Sequence, residues 1–323
     1  MTVRFGLIGC GDVAWKRVAR ALRQATGSQL VAACRRDVEK LKAFCDEFDV
    51  PRRYTSDAEL LADGEVDAVY IATPVYLHRR QTQAAAKAGK HVLVEKPMAM
   101  TVDDCTDMID ACARHDVRLG VAYYRRFYPA VRRIEELLAA GDLGAPMAAT
   151  VVTACAPPIF PEEEGSWRVR LEDGGGGALM DIGSHRINLL LHLFGEVAEV
   201  VAVCGNIASR YEAEDAASLL IAFSSGVQAS LQCLFGPADD PDYFSIVGTE
   251  GRVTCVPLNG GELVVERGGE RRLESLPPHE NFCLPLVKDF IAAIKEGRDP
   301  LVGGDEGRLT NLIMETAYQD ARA

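Results

Sequence analysis

The sequence predicts an α/β protein of two domains, a parallel-sheet domain over residues 1–122 followed by an α+β domain over residues 123–323. Three observations predict it. Short apolar runs alternate with longer helical patterns from Val3 to Tyr124, which is the grammar of βαβ units. A glycine-rich turn lies between the first such run and the first helical pattern. Beyond Tyr124 the pattern changes to alternating strands, with Ser218–Phe223 and Val227–Leu234 joined by Ser224-Ser225-Gly226 as an antiparallel hairpin.

The first-domain strands are expected at Val3–Gly9, Leu30–Cys34, Ala68–Ala72, His91–Glu95 and Arg118–Ala122, each nearly all apolar, as a strand buried on both faces must be. Helices are expected at Val13–Ala25, Val38–Phe48, Leu77–Ala88 and Val102–Arg114, with Asp37 and Thr101 as caps and Gly27 and Gly89 as stops. The second domain starts with an amphipathic helix, Pro129–Ala140, and a strand near Met147–Thr153. A Gly/Pro/acidic loop over 156–177 and an apolar helix over Ile182–Phe194 follow. Further strands are expected near Tyr243–Val247, Val253–Val256 and Leu263–Glu266, and helices over Leu284–Glu296 and Gly304–Tyr318.

Composition narrows the function. A net charge of -12 without a long Lys/Arg run argues against nucleic acid as a partner. The first residues lack the length and cleavage site of a signal peptide, and no apolar run approaches the ~18 residues of a membrane helix, so a cytoplasmic protein is expected. The ten cysteines form no C-x-x-C pair and the six histidines no metal-binding pattern, so the cysteines are expected as reduced core residues and no metal is implied.

The chemistry begins at Gly9-x-Gly11-x-x-Ala14, in the strand–turn–helix context of a dinucleotide-binding Rossmann domain. Gly9 permits the turn, Gly11 lets a pyrophosphate approach the amides that begin with Asp12 and Val13, and the small Ala14 allows close packing. The acid that would hold an NAD ribose is missing at the end of the second strand. Cys34-Arg35-Arg36 stands there, and an arginine suits a 2′-phosphate, which favours NADP over NAD. The alternative is that both arginines are solvated and that Asp37 reaches the ribose.

Two further motifs follow strands, where open α/β sheets bind ligands: Ala72-Thr73-Pro74 with His78, and Glu95-Lys96-Pro97. Lys96 has the position to donate to a substrate oxygen, or is a surface lysine. In Gly174–Asn188, Asp181 and His185 are four apart and share a helix face; either they bind and exchange a proton with one ligand, or Asp181 caps the helix and His185 is a core residue. Tyr124, Arg125, Trp167 and Arg168 are candidate substrate contacts, with packing or surface charge as the alternative.

Together with Gly175-Gly176-Gly177-x-Leu179-x-Asp181-x-Gly183-x-His185, Arg126-Phe127-x-Pro129 and Gly248-Thr249-Glu250-Gly251, these motifs make a sequence that resembles the Gfo/Idh/MocA family of oxidoreductases, named after glucose-fructose oxidoreductase and inositol dehydrogenase. The resemblance runs from the first strand to the last helix. It implies a Rossmann domain followed by an open, mostly antiparallel sheet that often forms homodimers or homotetramers. It also implies a small-molecule substrate, a sugar-like or cyclic alcohol or ketone, with Lys96 at the reacting oxygen, His185 as acid/base and Asp181 orienting. Inositol dehydrogenase-like members commonly carry aspartate three residues after the histidine, where this chain has Asn188, a candidate substrate contact. Cys34-Arg35 is similar to NADP-using members. Two rival readings remain: a hydrolase of related architecture that uses bound nicotinamide transiently, and a ligand-sensing regulator.

Overall fold

The computed structural model describes residues 2–155 and 166–322, so part of the acidic loop expected over 156–177 lies outside the described residues. The chain forms two compact units, one of residues 1–124 with 281–311, the other of 125–280 with 312–323. The C-terminal segment that the sequence reading places wholly in the second domain therefore divides. Its helix at Leu284–Glu296 packs on the first helix of the first unit, and Asn311 donates to the Ala99 carbonyl at 2.7 Å.

The first unit is a six-stranded parallel sheet in the order β3-β2-β1-β4-β5-β6, with β1 Val3–Ile8, β2 Ser28–Cys34, β3 Arg52–Tyr54, β4 Ala68–Ile71, β5 His91–Val94 and β6 Leu119–Val121. Burial of these strands on both faces explains their apolar runs; every residue of β4 is buried. Helices α1 Ala19–Gln24, α2 Val38–Glu47, α3 Asp57–Ala62, α4 His78–Lys87 and α5 Val102–Arg114 connect them. Asp37 accepts from the Lys40 amide and Thr101 from the Asp104 amide, so both caps form as expected. A π-helical turn, Ala14–Val18, precedes α1 where an unbroken helix is expected. The order reverses beside β1, which creates the crevice at the strand C-termini where such sheets bind ligands.

The second unit begins with α6 Pro129–Ala139. It contains an eight-stranded sheet in the order β14-β13-β12-β11-β7-β10-β9-β8, antiparallel except for the β7–β10 pair. Its strands are β7 Pro146–Cys155, β8 Val197–Gly205, β9 Ala216–Phe223, β10 Gln228–Phe235, β11 Asp242–Gly248, β12 Gly251–Cys255, β13 Glu262–Arg267 and β14 Glu270–Ser275. On β9 and β10 the residues Leu219, Ile221, Leu231 and Cys233 are buried while Leu220 on the other face is 63% exposed. The covered face of β7 and β10 meets a π-helical turn, Leu179–Gly183. That turn leads into α8 Ser184–Phe194. Gly183 is required there, because a Cβ would come within 2.8 Å of the Cys233 sulfur. Short α7, Leu171–Gly174, occupies part of the expected loop; α9 Leu284–Glu296 and α10 Gly304–Asp320 complete the elements. Among the described residues no helix is long and apolar enough to cross a membrane.

Candidate active site

In the first unit the glycine turn has the shape that its sequence requires. Gly9 has φ +95°, and its amide donates to the Cys34 carbonyl at 3.0 Å. A Cβ on Gly9 would lie 2.7 Å from the Ala72 carbonyl group, so both conformation and crowding demand glycine. Gly11 differs: a Cβ there meets nothing within 4 Å. The space over Gly11 is open at the start of the helix, which fits a pyrophosphate approaching the amides of Asp12 and Val13. Ala14 is fully buried against the sheet. The Asp12 side chain is exposed and pairs with Lys16 at 2.9 Å.

At the end of β2, Arg35 and Asp37 take different partners. The Arg35 guanidinium donates to the Cys10 carbonyl, inside the glycine turn itself. Asp37 is occupied as the cap of α2. Cys34 beneath them is buried, and burial, with Asp57 and Glu59 adding, pushes its thiol up to about 12, so it is neutral. Arg36 is exposed.

Three of the residues expected to touch cofactor or substrate also make contacts within the first unit. His78 is 1% exposed, with Nε2 at 2.9 Å from the Thr73 carbonyl and Nδ1 at 3.1 and 3.2 Å from those of Pro97 and Met98. It ties the loop of Thr73 and Pro74 to the loop of Lys96; Thr73 also donates to Gln81 at 2.6 Å. Glu95 accepts the Tyr70 hydroxyl at 2.7 Å and the Lys96 amide at 3.2 Å. Burial pushes the Glu95 carboxyl up, and Tyr70, Lys96 and Arg17 pull against that rise. Tyr124 is buried, accepts from Arg17 at 3.2 Å and stacks on Phe282 at 5.9 Å. Lys96 is half-buried, on a cis peptide bond to Pro97.

In the second unit Asp181 and His185 lie on one continuous helix, four residues apart across the π turn. The residue at the start of this helix, Ala178, makes no side-chain cap, and Asp181 lies in the first turn. Arg168 Nε lies 3.8 Å from Asp181, and its guanidinium sits 4.7 Å over the Trp167 ring, so three of the candidate residues converge. His185 is 4% exposed and Asn188 1%. Between them in sequence, Arg186 forms a buried ion pair with Asp242. Asp242 also accepts the Asn259 amide at 2.7 Å, and Asn259 accepts from Arg125 at 3.3 Å. Arg125 thus belongs to a structural network rather than standing as an isolated surface charge.

The helix that carries Asp181 is capped by a residue the sequence reading passes over. Glu214 accepts the Gly177 amide at 2.8 Å and the Leu179 amide at 2.9 Å with its carboxylate, and the Tyr318 hydroxyl at 2.9 Å. Among the described residues no group of three or more His, Cys, Asp or Glu is arranged to hold a metal ion.

Comparison with known proteins gives these two units a family. Residues 3–123 match the family model described as an oxidoreductase family with an NAD-binding Rossmann fold, and residues 131–254 match the GFO/IDH/MocA C-terminal domain. The chain is 37% identical over 312 residues to a 1,5-anhydro-D-fructose reductase from Ensifer adhaerens, covering 94% of this chain and 92% of that protein. It belongs to the Gfo/Idh/MocA family.

Other relatives agree. A D-xylose 1-dehydrogenase (NADP(+)) from Haloferax volcanii is 29% identical over 98% of this chain and 97% of its own length. The crystal structure of an aldose-aldose oxidoreductase from Caulobacter crescentus, complexed with glycerol, superposes with a TM-score of 0.92 at 30% identity, covering 100% of this chain and 98% of that one. As a Gfo/Idh/MocA protein this chain is a nicotinamide-dependent oxidoreductase whose first unit is an NAD-binding Rossmann domain.

Proposed function

We propose that the protein transfers hydride between NADP, preferred over NAD, and a hydroxyl or carbonyl carbon of a sugar or sugar-like ring. The observation that carries the cofactor preference is Arg35: its guanidinium is anchored on the glycine turn while Asp37, the nearest alternative ribose ligand, is spent on α2. The names of the relatives support the substrate class, since they act on an anhydrofructose and on xylose. Gly9, Gly11 and the amides of Asp12 and Val13 hold the pyrophosphate, and Arg35 and Arg36 the 2′-phosphate. The bound nicotinamide supplies or accepts the hydride.

Lys96 donates to the reacting oxygen and stabilises negative charge that develops on it. His185 takes the hydroxyl proton in oxidation and returns it in reduction, and Asp181, in contact with Arg168, orients the substrate. Trp167, Arg168 and Asn188 contribute to substrate binding. The test is a nicotinamide-fluorescence titration with NADPH and NADH, followed by absorbance at the NADPH band with 1,5-anhydro-D-fructose and D-xylose as probes. NADPH binding at least about tenfold tighter than NADH supports the assignment; the reverse order overturns it, and full turnover by His185→Ala or Lys96→Ala removes the corresponding role.

The open face of the second sheet supports a homodimer or homotetramer. Val201 and Leu220 lie opposite one another in register, 46% and 63% exposed, and Val203 beyond them is 73% exposed. Ten free thiols suit a reducing compartment, and the proposed location is the cytoplasm.

A further inference from the structure

The first amides of a helix have no acceptor within it and must find one elsewhere. In the helix that carries Asp181 and His185, three successive amides find theirs on a single residue. Gly177 and Leu179 donate to the two carboxylate oxygens of Glu214, at 2.8 and 2.9 Å, and Ala178 donates to the Glu214 backbone carbonyl at 3.1 Å. The Glu214 side chain is held in turn by the Tyr318 hydroxyl on α10, at 2.9 Å. Glu214 is 6% exposed. A carboxylate at this end of a helix also complements the helix dipole.

The glycines before the helix answer to the same two residues. A Cβ on Gly177 would lie 1.9 Å from the Glu214 carbonyl oxygen, and one on Gly176 would lie 2.0 Å from the Tyr318 hydroxyl. Neither distance is tolerable, so the glycine run leaves room for the clamp. Asp181 follows immediately, its amide donating to the Gly177 carbonyl at 3.0 Å. The position of Asp181 is therefore set two residues from the last clamped amide, and His185 lies one turn further on.

We infer that Glu214, steadied by Tyr318, is a positioning residue for Asp181 and His185: it acts through the helix start and touches neither cofactor nor substrate. The inference rests on the catalytic reading of Asp181 and His185 given above. Glu214→Gln keeps the shape but offers one carbonyl oxygen where two acceptors are needed, and turns its NH2 toward a backbone N–H. Tyr318→Phe is the milder variant, and removes only the hydroxyl that steadies the carboxylate.

The test compares both variants with the unmodified full-length protein by hydrogen–deuterium exchange over residues 176–190, by NADPH titration, and by steady-state reduction of 1,5-anhydro-D-fructose. The expected result for Glu214→Gln is faster exchange over 177–185 and a kcat lower by about 10- to 100-fold, with the NADPH Kd and the sugar KM changed by less than about threefold. Tyr318→Phe moves the same quantities in the same direction by about threefold and covers the case in which Glu214→Gln does not fold. A merely structural role would lower the Tm and leave the kcat of the folded protein where it was, and that outcome overturns the inference. If the unmodified protein turns over no sugar, or His185→Ala retains its full rate, the catalytic reading fails instead. The exchange experiment still decides the clamp then: unchanged protection over 177–185 in Glu214→Gln or Tyr318→Phe overturns it.

Discussion

Replacing Arg35 with alanine should remove most of the preference for NADPH while leaving NADH binding nearly intact. Two interactions are lost. The first is the hydrogen bond from the guanidinium to the Cys10 carbonyl, a turn-stabilising contact of about 0.5–1.5 kcal/mol that affects both cofactors alike. The second is the proposed charge-assisted bond to the 2′-phosphate, about 1.5–3 kcal/mol, which NADH cannot make. The ratio of the two dissociation constants cancels the first and isolates the second, so NADPH selectivity should fall about 10- to 100-fold. Fluorescence titrations of both cofactors at about 0.1 M salt measure it, since at that ionic strength the Debye length of about 10 Å keeps remote charges from mimicking a local contact. An unchanged ratio in Arg35→Ala would refute the assignment of the 2′-phosphate to this residue.

Tyr70→Phe deletes the hydroxyl that holds Glu95 at 2.7 Å; leaving this half-buried carboxylate short of a donor should cost about 1 kcal/mol in denaturant unfolding and lower kcat through the Lys96 loop. Arg186→Ala strands Asp242, which is 8% exposed, and should cost about 3–5 kcal/mol, with Arg186→Met/Asp242→Leu recovering part of the loss in the same assay. Two adjacent acids give the pH dependence opposite signs. Burial raises the Glu214 carboxyl against the opposing pull of the Leu179 and Gly177 amides and the Tyr318 hydroxyl, so ionising it in the folded protein carries a net desolvation penalty: stability is highest below the ordinary glutamate value and declines as pH rises through the raised one, and Glu214→Gln should abolish that decline. The Asp215 carboxyl is subject to the same burial but is lowered by the amides of Ile207, Ala208 and Ser209, so its contribution is present above the ordinary aspartate value and is lost as pH falls through the lowered one. Unfolding curves from about pH 2 to about pH 7 should show a shallower acid limb in Asp215→Asn. Leu220→Glu places a charge on the exposed sheet face and should yield monomers in light scattering, while a mass equal to that of the unmodified oligomer would exclude this face as the interface.

The first sheet was legible because its inner strands carry apolar runs where they are buried on both faces, as every residue of β4 is, and because the turn at Gly9 can be made by little else. What escaped the sequence has physical reasons. β3 is Arg52-Arg53-Tyr54, half-exposed, and pairs only with β2, so no apolar run announces it. β8 and β14 are the two edges of the second sheet, and their exposed residues break the alternation that marks a half-buried strand. The helix over Leu284–Glu296 is plain in the sequence, but which sheet it covers depends on contacts nearly 300 residues back along the chain. Side-chain direction was the harder matter at the candidate site. His78, Glu95 and Tyr124 follow strands by number, and the contacts each makes inside the first unit are not written in that spacing. Glu214 and Tyr318 are 104 residues apart, and no local pattern joins them.

The two glycine motifs, similar to the eye, solve different problems. At the first, Gly11 has nothing within 4 Å of where its Cβ would be, which leaves the room that the proposed pyrophosphate needs. At the second, the places where Cβ atoms would stand on Gly176 and Gly177 are filled by Tyr318 and Glu214. The missing side chains there serve the chain's own packing, and no ligand need be invoked. A glycine run before a helix is thus evidence for a binding site only when the vacated space is open. By that criterion, the first motif is compatible with the proposed nucleotide site. The second bears on the proposed substrate site only through the helix it anchors, because Asp181 and His185, the residues proposed for the chemistry, begin where the clamp ends.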